Sequence, residues 1–167
     1  MIEIIIIAAL AENNVIGNKG DIPWRIKEDF KRFKEITLGH PCIMGDKTYE
    51  SLPQTARPLP GRENIVLTFD KNYHPKGATI FYSFDDAIKY CEEKKYPKVF
   101  LCGGASIYRI GLPVADVLEL TRIHKNIEGD TFFPQIDFNS WQLVNNKKMH
   151  DTAVGDYSFM TYVRTKK

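Results

Sequence analysis

The sequence predicts an α/β fold, a three-layer sandwich. Its central sheet is eight-stranded and mostly parallel, with an antiparallel C-terminal edge strand and helices on both faces. Three observations lead there. Residues 4–10 (IIIIAAL) are a continuous apolar run of strand length, rich in β-branched side chains, as expected of a strand covered on both faces. Segments of that kind alternate with segments of helical periodicity, which implies crossover connections and parallel pairing. The chain closes with two runs, 141–149 and 157–164, that alternate in polarity around a turn at Val154-Gly155-Asp156 and read as an antiparallel hairpin.

Taken in order, strand 4–10 leads into a long segment, 12–24 (ENNVIGNKGDIPW), whose Gly17, Gly20 and Pro23 predict mobile surface backbone. Residues 26–37 are helical, 41–44 form a short apolar strand, and a second helix lies near 47–52. A turn-rich stretch, 52–62 (LPQTARPLPGR), separates it from strand 64–68. Strand 79–82 precedes a helix over about 84–94. Ser83 is placed to cap that helix, and Asp85 and Asp86 sit favourably in its first turn. Strand 98–102 ends at Gly103-Gly104, residues 105–111 are helical, and 117–123 is the last strand before the hairpin. No repeat, low-complexity stretch or linker divides the chain, so residues 1–167 are expected to form one domain.

Composition narrows the function. With 43% apolar and 26% charged residues among 167, the chain is an ordinary globular domain with enough length for a full core. A net charge of +2, with bases and acids interspersed, gives no footing for nucleic acid or an anionic membrane. The apolar N-terminal run has Glu3 in place of a basic flank and is too short to span a bilayer, so it reads as a strand. Cys42, Cys91 and Cys102 fit no metal-ligand or CxxC spacing; free thiols in a reducing, cytoplasmic setting are expected. No metal site is expected. His40, His74, His124 and His150 are expected to lie apart from any Ser, Cys or Asp cluster.

Asp29 is the most informative residue. At roughly 100° per residue, Ile26, Phe30, Phe33 and Ile36 fall within an arc of about 120°, and Asp29 lies inside it. A carboxylate on an apolar face loses hydration and needs a compensating partner. The helix alone leaves two readings open: a structural acid that pairs or caps, or a site acid lying against a flat, proton-accepting ligand. In a sheet of this kind ligands bind beyond the carboxyl ends of the strands. The loop after strand 4–10, the Gly103-Gly104-Ala105-Ser106 turn and Gly45-Asp46-Lys47-Thr48 all converge there. Both turns lie between a strand and a helix, where backbone N–H groups suit a phosphate, although a tight turn and a simple helix cap explain them as well. Arg62, after Pro60-Gly61, suits a grip on a carboxylate, with a surface salt bridge as the commoner alternative. Trp24 is either core packing or part of a lid. Phosphate-suited turns and one buried acid, without metal or nucleophile, favour a nicotinamide-dependent reductase.

Read together, these segments resemble the dihydrofolate reductase family from end to end. The resemblance is carried by residues 8–11, Val15-Ile16-Gly17, Pro23-Trp24, Asp29, Phe33-Lys34 and Ile43-Met44-Gly45. It continues through Thr48, residues 57–64 (RPLPGREN), Gly103-Gly104, Ile107-Tyr108 and Glu128-Gly129-Asp130-Thr131. It implies reduction of 7,8-dihydrofolate to tetrahydrofolate, with hydride from NADPH and a proton to N5 of the pterin. By the same resemblance Asp29 is the active-site acid, Thr121 supports it, and Ile22 and Trp24 belong to the catalytic surroundings. Ile7, Ala9, Phe30, Phe33, Leu52, Leu59 and Cys102 line the pterin and aminobenzoyl site, and Arg62 holds the α-carboxylate of the glutamate tail. Ala9, Ile16, Gly103, Gly104 and Tyr108 match the nicotinamide end of the cofactor site, and Gly17, Asn18, Cys102, Ala105 and Ile107 further cofactor positions. Gly45, Asp46, Lys47, Thr48, Leu67, Thr68, Ser106 and Thr131 match its remainder. The Gly103–Gly104 bond is expected to be cis. Residues 12–24 match a loop closing over the nicotinamide, and Asp130 an acid that holds it closed. The family implies a monomer that binds dihydrofolate and diaminopyrimidine antifolates.

Four positions depart from the family pattern, one of them Phe30, which replaces a common leucine beside the aminobenzoyl ring. Asp46 stands where a basic residue commonly meets the cofactor's 2′-phosphate, and Phe69 replaces a small polar residue, which leaves room for NADH beside NADPH. Lys47, Arg25 and Lys71 are the nearby bases. Cys102 replaces a bulkier aliphatic. Two rival readings are a reductase of another pterin-like or pyrimidine metabolite and a non-catalytic binding homologue. Arg62 argues against the first; Asp29, the glycines and the intact loop argue against the second.

Overall fold

The computed structural model describes residues 1–165. Along the chain run β1 (Glu3–Ala11), β2 (Val15–Gly17), α1 (Lys27–Thr37), β3 (Pro41–Gly45) and α2 (Asp46–Ser51). β4 (Glu63–Leu67), β5 (Ala78–Phe81), α3 (Phe84–Glu93), β6 (Lys98–Leu101) and α4 (Ala105–Gly111) follow. The last elements are β7 (Val117–Ile123), β8 (Thr131–Phe132), β9 (Trp141–Asp151) and β10 (Gly155–Arg164). Eight strands form one sheet in the order β5-β4-β3-β6-β1-β7-β10-β9. β1 pairs in parallel with β6 and β7, β3 with β4 and β6, and β4 with β5. β10 runs antiparallel to both β7 and β9, so the C-terminal hairpin supplies the antiparallel edge.

The period of two along β1 divides the core between the faces. Ile5 and Ile7 enter a cluster with Met44, Tyr49, Leu59 and Phe100, against which Phe33 and Ile36 of α1 pack. Ile6, Ala8 and Leu10 enter the opposite cluster with Ala87 and Cys91 of α3 and Ile107 of α4. Burying each isoleucine contributes about 1.5–3 kcal/mol, well above the roughly 0.7 kcal/mol that separates ordinary residues in helix preference. Tertiary burial therefore fixes residues 3–11 as strand despite three alanines. Ser83 caps α3 as expected, its Oγ accepting from the Asp86 N–H at 3.1 Å.

Two expectations are corrected. Residues 12–24 are not simply mobile surface: Val15 is fully buried, Trp24 packs beside it, and β2 pairs with β8 in a separate two-stranded ribbon. Both strands are too short to show periodicity, and Gly129 makes their approach feasible. A Cβ at Gly129 would stand 2.3 Å from Val15 Cγ1 and 2.6 Å from the Gly17 carbonyl oxygen. The polarity alternation of β9 does not become an alternation in burial. As the outer strand it is uncovered from Gln142 through Lys148, leaving Leu143 and Val144 exposed.

Candidate active site

The carboxyl ends of β3, β6 and β1 lie side by side and form one mouth. The ladder between β3 and β6 continues past the strands: the Cys102 N–H donates to Ile43 O at 2.9 Å, and the Gly45 N–H to Gly103 O at 2.9 Å. The Tyr108 hydroxyl ties α4 to β1 through Ile7 O at 2.8 Å. The Gly103–Gly104 peptide is cis, as expected, and Gly103 has φ +108°, which a residue with a side chain rarely adopts.

Asp29 lies in the first turn of α1, facing the sheet where β7 presents Thr121. Thr121 is 2% exposed, and its Oγ1 donates to Asp29 Oδ1 at 2.6 Å. Burial pushes the Asp29 carboxyl above its usual range, while the Thr121 hydroxyl and the Arg32 guanidinium partly oppose that rise. The acid is thus held nearer to its protonated form than a surface aspartate, yet keeps a hydrogen bond that orients one oxygen.

The sheet face that carries Asp29 also gathers Ile7, Phe33, Leu52, Leu59 and Cys102 in one apolar cluster. Phe30 stands at its rim, half exposed, and Ala9 packs toward the neighbouring cluster around Trp24. Arg62 donates through Nε to Pro60 O at 2.9 Å and through Nη1 to Thr37 Oγ1 at 3.2 Å, with its guanidinium 5.9 Å from the Phe33 ring centre. Among the described residues no carboxylate pairs with it, so the surface salt bridge is not what holds it. Trp24 is 6% exposed and packs with Ala11, Val15 and Ile26, whereas Ile22 is half exposed on the loop.

Beyond the cis peptide, a Cβ on Gly104 would stand 3.5 Å from Thr48 Oγ1, so the glycine keeps the turn open beside the start of α2. Lys47 and Ser106 are exposed there, and Ala105 is half-buried. Ile107 and Leu67 are core residues on the α4 side of the sheet. Asp46 accepts from its neighbour's Lys47 N–H at 2.7 Å and from Thr68 Oγ1 at 2.7 Å, while Thr68 Oγ1 accepts from the Asp70 N–H at 3.1 Å. Lys71 Nζ sits 3.5 Å from the Tyr82 ring centre, and Phe69 is exposed. On the loop side Ile16 and Gly17 belong to β2, Asn18 bridges Asp21, and Thr131 pairs with Gly17. Asp130 accepts from the Lys19 N–H at 3.0 Å, and its own N–H donates to Gly17 O at 3.1 Å.

One sequence expectation is corrected here. His124 does not stand apart from nucleophile and acid: its Nε2 lies 2.7 Å from Ser158 Oγ and its Nδ1 3.1 Å from Glu12 Oε1. The order resembles a nucleophile-activating relay, but Ser158 is 1% exposed, and no substrate carbonyl reaches its hydroxyl. It lies beside a surface cleft of about 330 Å³ that does not include Asp29. Residues 12, 124 and 158 are brought together by strand pairing alone, so no local pattern announces them. Sequence reasoning also passed over Arg32 and Glu119, whose side chains form an ion pair directly beside Asp29 and Thr121 on α1 and β7.

The family model for dihydrofolate reductase matches residues 3–164. The chain is 40% identical over 165 residues to the dihydrofolate reductase of Staphylococcus haemolyticus, covering 98% of this chain and 96% of that one. It is 41% identical to the enzyme of Neisseria meningitidis serogroup A, covering 98% and 99%. Among solved structures it is similar to dihydrofolate reductase from Enterococcus faecalis complexed with NADP(H) and RAB-propyl, with a TM-score of 0.87, 34% identity and coverage of 98% and 97%.

Proposed function

This chain belongs to the dihydrofolate reductase family, and from that premise we propose that it reduces 7,8-dihydrofolate to 5,6,7,8-tetrahydrofolate with NADPH, supporting one-carbon metabolism and thymidylate, purine and glycine synthesis. The observation that carries the reading is the buried Asp29–Thr121 pair beside an apolar cluster, with Arg62 next to Phe33 and, among the described residues, free of carboxylate partners. Ile7, Phe33, Leu52 and Leu59 supply flat apolar walls for a pterin and its aminobenzoyl ring. Arg62 keeps donors for the tail carboxylate, aimed by Thr37 and Pro60.

The cofactor supplies the hydride. Its fit to this chain rests on the donor set: the open Gly103-Gly104 turn, the Thr48 and Ser106 hydroxyls and the Lys47 ammonium suit a pyrophosphate. Asp46 suits a 2′-phosphate poorly, so discrimination against NADH is expected to be weak. Asp29 holds the pterin's 2-amino group and N3, and its raised protonation range favours a proton at N5. Trp24 and Ile26 exclude water behind it, and the ribbon held by Asp130 closes the remaining side. Diaminopyrimidine antifolates would meet the same carboxyl through their amino groups.

Among the described residues no helix is long and apolar enough to cross a membrane. We place the protein in the cytoplasm as a monomer, residues 1–167 acting as one domain. Dihydrofolate-dependent loss of reduced-nicotinamide absorbance tests the reading, with NADPH and NADH side by side. Turnover is expected with both; folded protein inactive with either would return the binding homologue to the front.

A further inference from the structure

Asp29 and Arg32 are three residues apart on α1, and Thr121 and Glu119 are two apart on β7. Each spacing puts both side chains on one face. The helix and strand therefore meet at two successive rungs. The first is Thr121 to Asp29; the second is the ion pair between Arg32 Nη2 and Glu119 Oε2, in which the two side chains are only 17% and 15% exposed. β10 supports both rungs in register, since Phe159 pairs with Thr121 and Thr161 with Glu119. Thr161 Oγ1 donates to Glu119 Oε2 at 2.9 Å, and the Arg32 guanidinium lies 4.6 Å from the Phe159 ring centre.

We propose that Arg32 and Glu119 are positioning residues for the reductase reaction, fixing the angle of α1 on β7 and setting the protonation equilibrium of Asp29. This rests on Asp29 being the site acid. Arg32 is the cation whose field reaches Asp29, and Glu119 is the carboxylate that pairs with it. The other titratable groups facing Asp29 are Tyr157 of β10 and Tyr108 of α4. Burial raises both phenols, so they stay neutral in the working range. Glu28, Lys31 and Glu35 of α1 and Lys147 of β9 line the outer cleft beside Arg32, where their opposite charges largely cancel.

The pair makes a signed prediction that a merely structural contact does not. Glu119→Gln keeps an acceptor for Arg32 and Thr161 but unmasks the cation, so Asp29 titrates lower. Arg32→Gln removes the cation and leaves Glu119 uncompensated, so Asp29 titrates higher. The two displacements are opposite in sign, the double variant returns toward the parent, and Arg32→Lys stays close to it. The experiment is an NMR titration of the Asp29 side-chain carbon in the free protein, alongside the pH profile of kcat/KM with dihydrofolate. Opposite displacements in both readouts support the proposal. Displacements of the same sign, or none in folded Glu119→Gln and Arg32→Gln proteins, overturn it. Full activity of Asp29→Asn would instead sink the assignment of the acid, whatever the titrations show.

Discussion

Thr121 Oγ1 donates to Asp29 Oδ1 at 2.6 Å, so a strand in the middle of the sheet fixes the orientation of an acid on the first turn of a helix. That bond keeps one carboxyl oxygen occupied; in the proposed reaction the other is the one left for the pterin.

Asp29→Asn should lose nearly all turnover at neutral pH while the fold is kept, since the amide has almost the same volume and its oxygen still accepts from Thr121. The linkage has a definite sign. Burial raises the Asp29 carboxyl above its ordinary value of 3.8, so its contribution to stability is fully present below that value and is lost as pH rises through the folded one. The variant should therefore melt above the parent at pH 7 and the gap should vanish at low pH. Steady-state rates and thermal melts across pH check both halves.

Thr121→Val should destabilise the protein by about 1–3 kcal/mol, because it leaves a buried carboxyl oxygen without its donor. The Asp29 carboxyl should rise further, moving the limb of the pH–rate profile that follows it toward alkaline pH. Thr121→Ser should restore most of both. Urea unfolding and pH profiles of the two variants separate hydroxyl from methyl.

Asp130 accepts the Lys19 N–H and the Thr131 hydroxyl, which hold its carboxyl below the usual range. A lowered carboxylate favours the folded arrangement above its ordinary value and loses that effect as pH falls through the lowered one. Asp130→Ala should speed hydrogen exchange at the Lys19 amide and slow hydride transfer several-fold, leaving exchange in β1 and β6 unchanged. Slow exchange at Lys19 in the variant would show that the ribbon does not depend on this acid.

Asp46→Asn should tighten NADP+ by roughly tenfold, about 1.4 kcal/mol, and leave NAD+ nearly unchanged, because only the 2′-phosphate feels the lost charge. The amide oxygen still accepts from the Lys47 N–H, and the amide NH2 can donate to Thr68 Oγ1 once that hydroxyl reorients. Calorimetric titration of both oxidised cofactors reads this without turnover. Equal effects on the two would mean that Asp46 does not face the 2′ position.

The amphipathic wheel of residues 26–37 singled out Asp29 without any structure, and the β-branched run at 4–10 identified the central strand. The first depends on a helical period and the second on run length and β-branching, both local features that a one-dimensional pattern records directly. The two-residue strand β8, the uncovered β9 and the approach of Gly129 to Val15 left no such trace.

By itself, then, the sequence determined the α/β layering, the helix that carries the acid, the glycine turn and, through its ordered motifs, the family. The resemblance implied that Thr121 supports Asp29, but only the tertiary structure decided which other side chains meet: Arg32 with Glu119, Thr68 with Asp46, and Ser158 with His124. The reason is physical. Periodicity tells which face a residue occupies, whereas strand order and register choose the residue opposite it, and those follow from how the whole core closes.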